Sequence, residues 1–443
     1  MDEEKTTLEL QSEKIREKFL VPLTDNKNLE GRHYDSKEDR KRPDGEFQRD
    51  YTRVLYSSSF RRLQGKMQLY ALENDQFMRN RLTHSLEVAQ IARSIATAIG
   101  YNQQEMYVVE AGALAHDIGN PPFGHAGEKF LNELCKEFGG FEGNAQTFRI
   151  LTTVEQKRHS YQGLNLTNRT LLGILKYYNP YQIIQNSELK YKKFLYNDDY
   201  NFVSEMINDT GVELRTLDVQ IVDIADEIAY AAHDLEDGLR LGVFTVEEIL
   251  HEFSTKIKSE ESINKFDEIV GKSKEKAGFK KIGVDSAEFS KLYRKEITSQ
   301  VINTLINDIG IVPLSEKEKS IRGTEHDEEI GFVKYRELAS GLKKTIFDCV
   351  TNKDTVYKYE AEGIKMLEAL FHFFEKNTQY LPSEYRVSNI VRQYKPRYDT
   401  INEVDLQKRL IIDYISGMMD EYVKTVYEKF IKNSYNIKGF IYE

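Results

Sequence analysis

His116 and Asp117 are adjacent in an apolar helical run that stops abruptly at Gly119-Asn120-Pro121-Pro122. Imidazole and carboxylate are suitable donors for a divalent cation that keeps positions open for water and a phosphate oxygen. Two more groups could complete such a centre: His84 upstream and Asp226 far downstream. Two imidazoles with two carboxylates suit Mn, Fe, Mg or Zn, and ligand softness does not choose among them. Beyond the stop, His125 and Glu128 stand three residues apart, a spacing that lets a carboxylate orient an imidazole for general acid/base work. Plainer readings exist. A His-Asp pair on a helix is commonly a capping or surface pair, and Glu128 is also a favourable acid for the first turn of a following helix. The setting favours the metal. His116 lies beside Leu114-Ala115 and Ile118, and burying both polar groups there without partners would cost several kcal/mol.

Three helices must position these groups. Leu82, Leu86, Ala89, Ala92, Ala96 and Ile99 recur at three- and four-residue steps and predict a helix over 81–99, closed by Gly100. The second runs over 104–118, packs through Val108, Ala111, Leu114, Ala115 and Ile118, and is ended by Gly119 and the prolines. Adjacent helix positions diverge by about 100°, so His116 and Asp117 can reach one ion only where the backbone loosens at the helix end. The third, over 216–239, carries the apolar stripe Ile221, Ala225, Ile228, Ala232, Leu235 and Leu239. Its Asp226, Tyr230 and Asp234 repeat every four residues and share a face, one turn above another. A short helix over 128–138 is closed by Gly139-Gly140. The aromatic and arginine-rich stretch from Phe47 to Tyr70 offers Arg53, Arg61, Arg62 and Lys66 to phosphate, or equally a helix with a basic outer face.

Few strand-like alternations accompany these patterns, so the expected fold class is mostly α. The 443 residues, 40% hydrophobic and 30% charged, can bury a large core. A net charge of −10 opposes adhesion of the whole surface to nucleic acid, though a local basic groove remains open. The two cysteines, Cys135 and Cys349, fit neither a metal spacing nor a disulfide framework, so the expected location is a reducing cytoplasm. The acidic start Met1-Asp-Glu-Glu-Lys is not a signal peptide, and no apolar run is long enough for a membrane span. Segments 259–281 and 314–329 read as charged surface, and 343–374 and 405–430 as long amphipathic helices.

Longer strings carry a resemblance. Phe60-Arg-Arg-Leu-Gln64, Arg81-Leu-Thr-His-Ser-Leu-Glu-Val88, His116-Asp-Ile-Gly-Asn-Pro-Pro-Phe-Gly-His125, Phe141-Glu-Gly-Asn-Ala-Gln146, Leu164-Asn-Leu-Thr167, Ile224-Ala-Asp-Glu-Ile-Ala-Tyr230 and Asp413-Tyr-Ile-Ser-Gly-Met418 follow one another in order. Together they resemble the HD-domain superfamily and, within it, the deoxyguanosine triphosphate triphosphohydrolases. The resemblance implies an HD-domain helical phosphohydrolase fold with additional C-terminal helices. The expected organisation is a charged arm and helix over 1–46, a catalytic core over 47–243, and a helical region over 244–443 that completes the site and subunit contacts. It also implies that His84, His116, Asp117 and Asp226 hold the metal, Mn or Mg first, with Fe, Zn, Co or Ni as further candidates. His125 with Glu128 then matches the catalytic pair near the α-phosphorus. Tyr230 matches the aromatic residue against the 2′ carbon of deoxyribose, and Asp234 and Gln64 match groups that read its 3′-hydroxyl. Asn144 and Lys176 match phosphate contacts, and Arg81 is a further phosphate candidate.

The implied reaction is hydrolysis of a deoxynucleoside triphosphate, dGTP preferred, to deoxynucleoside and tripolyphosphate by water attack at the α-phosphorus. The implied partners are a regulatory nucleotide or single-stranded DNA and other copies of the chain, as a tetramer or hexamer, with no membrane. The alternatives are a broad-specificity, nucleotide-activated triphosphohydrolase, another HD phosphohydrolase or phosphodiesterase, and a non-catalytic nucleotide sensor. Asn120 stands where many phosphodiesterases of the superfamily carry Lys or His, and no Gly-Tyr-Pro signature is present. Two departures stand out. Asp226-Glu227 replaces a frequent Asp-Asp, and Gly417-Met-Met-Asp420 replaces a frequent Gly-Met-Thr-Asp in the region tied to base or subunit recognition.

Overall fold

The apolar periodicities become helices nearly throughout. The structure, a computed structural model, describes residues 5–34, 45–68, 79–184, 188–351, 354–388 and 402–432. The charged stretch expected as an arm at 35–44, and the end of the Phe47–Tyr70 stretch, lie outside them. Among the described residues no helix is long and apolar enough to cross a membrane.

Helices α1 (Thr7–Ile15) and α2 (Glu46–Leu55) lead into the three expected helices. α3 (Arg81–Ile99) starts at Asn80, whose side chain accepts from the Thr83 N–H, and ends where Gly100 turns left-handed at φ +95. α4 (Gln103–Ala115) opens with an Asn102–Glu105 capping box. It ends before the His116-Asp117 pair, which falls in the turns beyond and not in a helix running to Ile118. Gly119 makes that exit possible: a methyl group there would come within 2.2 Å of the Gly143 carbonyl and the Thr147 amide. α5 (Gly124–Leu134) follows at once, earlier than the expected start at Glu128, and α6 (Gly143–Arg149) comes after the Gly139-Gly140 turn. α7 (Leu217–Arg240) buries the expected stripe, with Ile221, Ala225, Ile228, Ala232 and Leu235 all fully covered.

Downstream, α8 (Val246–Lys256), α9 (Glu260–Lys276) and α10 (Ser286–Asn307) precede an antiparallel hairpin of β1 (Ile309–Pro313) and β2 (Glu328–Phe332), in register from Ile309 opposite Phe332 to Pro313 opposite Glu328. The sequence expectation had no strands here. Segment 259–281 is also more than surface, because α9 buries Phe266 and Ile269 and sets Phe266 edge-on to Phe253 at 5.2 Å. The run expected over 343–374 divides into α11 (Arg336–Thr351) and α12 (Asp354–Lys376). The run over 405–430 breaks at Gly417 into α13 (Glu403–Ser416) and α14 (Asp420–Tyr427).

Two hydrophobic cores result. The first runs from Leu8 of α1 through α3, α4 and α7 to Val350 and Val356. The second gathers Phe123, Leu131 and Phe141 with Leu367, Phe371 and Phe374 of α12, Leu410 and Ile412 of α13, and Val423 of α14. These clusters cut across the boundaries expected at 46/47 and 243/244. A buried ion pair fastens one to the other: Asp413 of α13 accepts from Arg149 at 2.7 Å and from the Gln146 amide at 2.9 Å. Arg53 and Lys66, which the sequence offered either to phosphate or to a basic outer face, instead hold backbone. Arg53 donates to the Leu164 carbonyl at 2.7 Å, and buried Lys66 donates to the carbonyls of Asn120 and Ser416. Neither Arg61, which is exposed, nor Arg62, which lies against Gly417, lines the main cavities.

Candidate active site

Where α3, α4 and α7 converge, ligand atoms of His84, His116 and Asp117 lie within 4.8 Å of one another. Asp226 joins through both imidazoles: its Oδ1 is 3.0 Å from His84 Nε2 and 3.4 Å from His116 Nε2. His116 Nε2 is also 3.6 Å from Asp117 Oδ1. All four residues thus meet, and the loosened end of α4 lets two neighbours in sequence take part. His116 Nδ1 is 2.7 Å from the Ala113 carbonyl. That bond holds a proton on Nδ1 and turns Nε2 toward the carboxylates.

The electrostatics of the cluster call for a cation. Burial opposes a proton on His116, but the carboxylates of Asp117 and Asp226 outweigh it and push the imidazole up to about 9. Burial likewise opposes charge on Asp117, yet the Arg81 guanidinium at 2.7 Å and both imidazoles hold it below the usual range. Asp226 is held well below that range against its burial, chiefly by His116. Among the described residues the Nε2 of His116 is buried without a hydrogen-bond partner, and the Nε2 of His84 faces Asp226. Two imidazole nitrogens turned toward anionic oxygens, one of them unsatisfied, are a donor set that suits a divalent ion, so the residues fit a metal.

The acid/base candidates sit at the start of α5. His125 Nδ1 is 3.3 Å from Glu128 Oε2, and the other Glu128 oxygen accepts from the Gly143 amide at 3.0 Å. Burial acts against the Glu128 charge, but the bond from His125, the Lys193 ammonium and the Gly143 amide bring the carboxyl down to about 2. The bond to Glu128 in turn raises His125 above an ordinary histidine, against its partial burial. His125 remains largely exposed, at 75%.

Both groups face one cavity of about 440 Å³, lined also by Arg81, Asn144, Lys176 and Tyr230. A second compartment of about 730 Å³ continues past Tyr230 and Asp234 toward α11 and the hairpin, sharing Lys176, Tyr177 and Lys343 with the first. Asp226, Tyr230 and Asp234 thus line the space at successive turns of α7, as their spacing requires. Tyr230 has His84 at 4.9 Å on one side and the Lys343 ammonium 4.2 Å over its ring. Lys176 is 2.6 Å from Asp223 and 3.9 Å from Asp226, so its charge is shared with carboxylates next to the cluster. Asn144 donates to Glu142 at 2.8 Å.

Gln64 stands apart. It is exposed and lines neither compartment, whereas Gln68, four residues on, lines the first with both amide atoms buried and without a hydrogen-bond partner among the described residues. The string Leu63-Gln-Gly-Lys-Met-Gln68 offers two glutamines, and only three-dimensional placement separates them. Two other lining residues escaped the sequence reading. Lys193 comes from a Tyr/Lys/Asn-rich stretch without a recognisable motif and lies 2.5 Å from Glu142 and 3.7 Å from Glu128. Glu360 of α12 brings to the cavity a carboxyl that burial raises, and it makes no ion pair among the described residues.

Comparison with known proteins places the chain in a family. Residues 81–231 match the HD domain and 334–429 match the phosphohydrolase-associated domain. The deoxyguanosinetriphosphate triphosphohydrolase-like protein 2 of Vibrio cholerae is 43% identical over 408 residues, covering 91% of this chain and 92% of its own. The deoxyguanosinetriphosphate triphosphohydrolase-like protein of Wolinella succinogenes is 34% identical over 411 residues, covering 90% of this chain and 98% of its own. That of Leptospira interrogans is 32% identical over 419 residues, covering 91% and 93%.

Proposed function

The chain belongs to the deoxyguanosinetriphosphate triphosphohydrolase-like family of HD-domain phosphohydrolases, and from that premise we propose that it hydrolyses a deoxynucleoside triphosphate, dGTP preferred, to deoxynucleoside and tripolyphosphate. The observation that carries this is the alignment on α7. One helix presents a metal ligand, Asp226, and then Tyr230 to the cavity that holds His125 and Glu128, and one turn further Asp234 to the compartment that continues from it.

His84, His116, Asp117 and Asp226 would hold the ion, Mn or Mg by preference. When bound, it supplies Lewis acidity to a water and to phosphate oxygens. Water attacks the α-phosphorus and gives up a proton to solvent, the bond from phosphorus to the sugar 5′-oxygen breaks, that oxygen takes a proton from His125, and exposed His125 regains one from solvent. Glu128 keeps His125 charged for the transfer. Lys176 and Lys193 offset charge on the departing tripolyphosphate, and Asn144 lies within the same cavity to orient it. Arg81 acts one step back, by fixing Asp117. Tyr230 packs flat against the deoxyribose and leaves no space for a 2′-hydroxyl. Asp234 and Gln68, in place of Gln64, are positioned for the 3′-hydroxyl.

The test is anion-exchange analysis of products after incubation with each dNTP and Mn or Mg. Tripolyphosphate with deoxyguanosine is the expected pair. Orthophosphate or pyrophosphate would place the cleaved bond elsewhere in the triphosphate.

A further inference from the structure

The candidate acid/base pair sits on the first turn of α5, but the chain leading into that turn is held by residues from the far end of the sequence. Phe123, immediately before α5, is a non-glycine residue at φ +60. A left-handed conformation there crowds Cβ against the following carbonyl, so the surroundings must stabilise it. They do so from the second core. The Phe123 amide donates to Asp420 Oδ1 at 3.1 Å. Its ring is 1% exposed and lies edge-on to Tyr359 at 5.4 Å. It packs against Gly363 of α12, where a methyl group would come within 2.3 Å of the ring. Asp420 is itself buried and also accepts from the Met67 amide at 3.0 Å and the Tyr359 hydroxyl at 3.3 Å. The start of the same turn is tied to the same place, since Lys66 joins the Asn120 carbonyl to that of Ser416. The turn from Asn120 to Phe123 is therefore pinned at both ends to the junction of α13 and α14.

We propose that Asp420 and Gly363 are positioning residues for His125: they hold Phe123 in the left-handed conformation from which α5 begins, so the second core aims the acid/base group while the first core aims the metal ligands. The consequence is a division of labour within one site. A disturbance of α12 or α14 at Phe123 reaches proton transfer first, and reaches the ion only through Asn120 at the other end of the turn, which donates to Asp117 Oδ1. The inference rests on the reading of His125 as the proton donor.

The test uses full-length, metal-loaded protein carrying Gly363→Ala, Gly363→Ala with Phe123→Leu, or Asp420→Asn. Alanine is a better helix former than glycine, so Gly363→Ala does not harm α12 itself and acts through the Phe123 ring. Three quantities are measured: bound metal, kcat and KM for dGTP, and the pH dependence of His125 carbethoxylation read by peptide mass spectrometry. Gly363→Ala and Asp420→Asn should each lower kcat on the order of 10- to 100-fold, with KM and bound metal little changed. The carbethoxylation midpoint should move toward that of an unpaired histidine as the contact with Glu128 loosens. Phe123→Leu, by relieving the clash, should recover much of the loss in the double variant. Unchanged kcat in Gly363→Ala, an unmoved His125 profile, or loss of metal and nucleotide binding in step with turnover would each overturn the proposal. The carbethoxylation profile needs no substrate. If the wild-type protein releases no tripolyphosphate, the reading of function fails, while the positioning claim is still decided.

Discussion

The two halves of the site are built in opposite ways. The metal half is buried: His84, Asp117 and Asp226 are covered, and elements of the first core bring imidazole and carboxylate within 3.0–3.6 Å. The acid/base half is wet and cantilevered. His125 is 75% exposed on the first turn of α5, and the other side of α5 belongs to the second core. An ion site gains from preorganised ligands whose charges are already balanced. A proton donor must meet substrate and exchange with solvent, so exposure at a seam serves it better. The seam is where the two requirements can be met within one cavity.

The largest effect should come from the metal half. His116→Ala or Asp117→Ala should remove both bound metal and turnover, with activity down by more than about 1,000-fold, because the lost ligand leaves its neighbours with buried unpaired charge. Metal analysis after gel filtration, with a turnover assay, checks this. A metal-replete and active variant would break the comparison. On the other side, His125→Gln should keep the metal and a near-normal KM while kcat falls about 100- to 10,000-fold, the usual range for losing a general acid. If His125→Gln also sheds metal, the halves are not separable.

The cores themselves can be compared next. Leu131→Ala, in the second core, and Leu114→Ala, in the first, both truncate buried leucines and should each cost about 2–5 kcal/mol in denaturant unfolding. Under native conditions their consequences should differ. Leu114→Ala weakens metal retention, and Leu131→Ala lowers kcat with the metal in place. Equal losses of metal in both would mean that the cores act as one.

The sequence exposed the metal half far better than its counterpart, for a physical reason. His84 and Asp226 ride on helices, and His116-Asp117 follows directly on the end of a third, so helical periodicity, which reads directly from sequence, brings them into view. The bounds of the Arg81–Ile99 helix and the α7 stripe stand as the spacing required, whereas the α3 stripe is shifted: Leu86 is exposed, and Val88, Ile91 and Ile95 are buried with Ala92, Ala96 and Ile99. Only the end of α4 fell short of its expected limit. The acid/base half depends on contacts between residues 123 and 359, 363 and 420, which no local pattern encodes. Lys193 and Glu360 come from segments without a motif, and the hairpin that walls the larger compartment lies in a stretch whose charge suggested open surface. Gln64 and Gln68 show the same limit at finer scale. They are equivalent in a string, but only Gln68 reaches the cavity. Gln68→Ala should raise KM for the proposed dNTP substrate roughly tenfold, about one hydrogen bond's worth, and Gln64→Ala should leave it unchanged. Steady-state kinetics on the two variants decides which glutamine meets substrate.

The smallest effect is one of pH, and it isolates the exposed half. Glu128 raises His125 above its ordinary value, because the bonded carboxylate favours the protonated ring more than partial burial disfavours it. A donor must be protonated, so kcat should hold below that raised value and decline as pH rises through it. Glu128→Gln removes the negative charge and keeps the shape. The protonated ring loses its main support, and the alkaline limb of the kcat profile should move to lower pH. Bound metal should stay the same, since Glu128 makes no contact with His84, His116, Asp117 or Asp226 among the described residues. The measurement is a kcat–pH profile at saturating substrate and metal for the wild type and the variant. A limb that does not move would assign it to a group other than His125, and a limb that moves together with loss of metal would tie the seam to the ion after all.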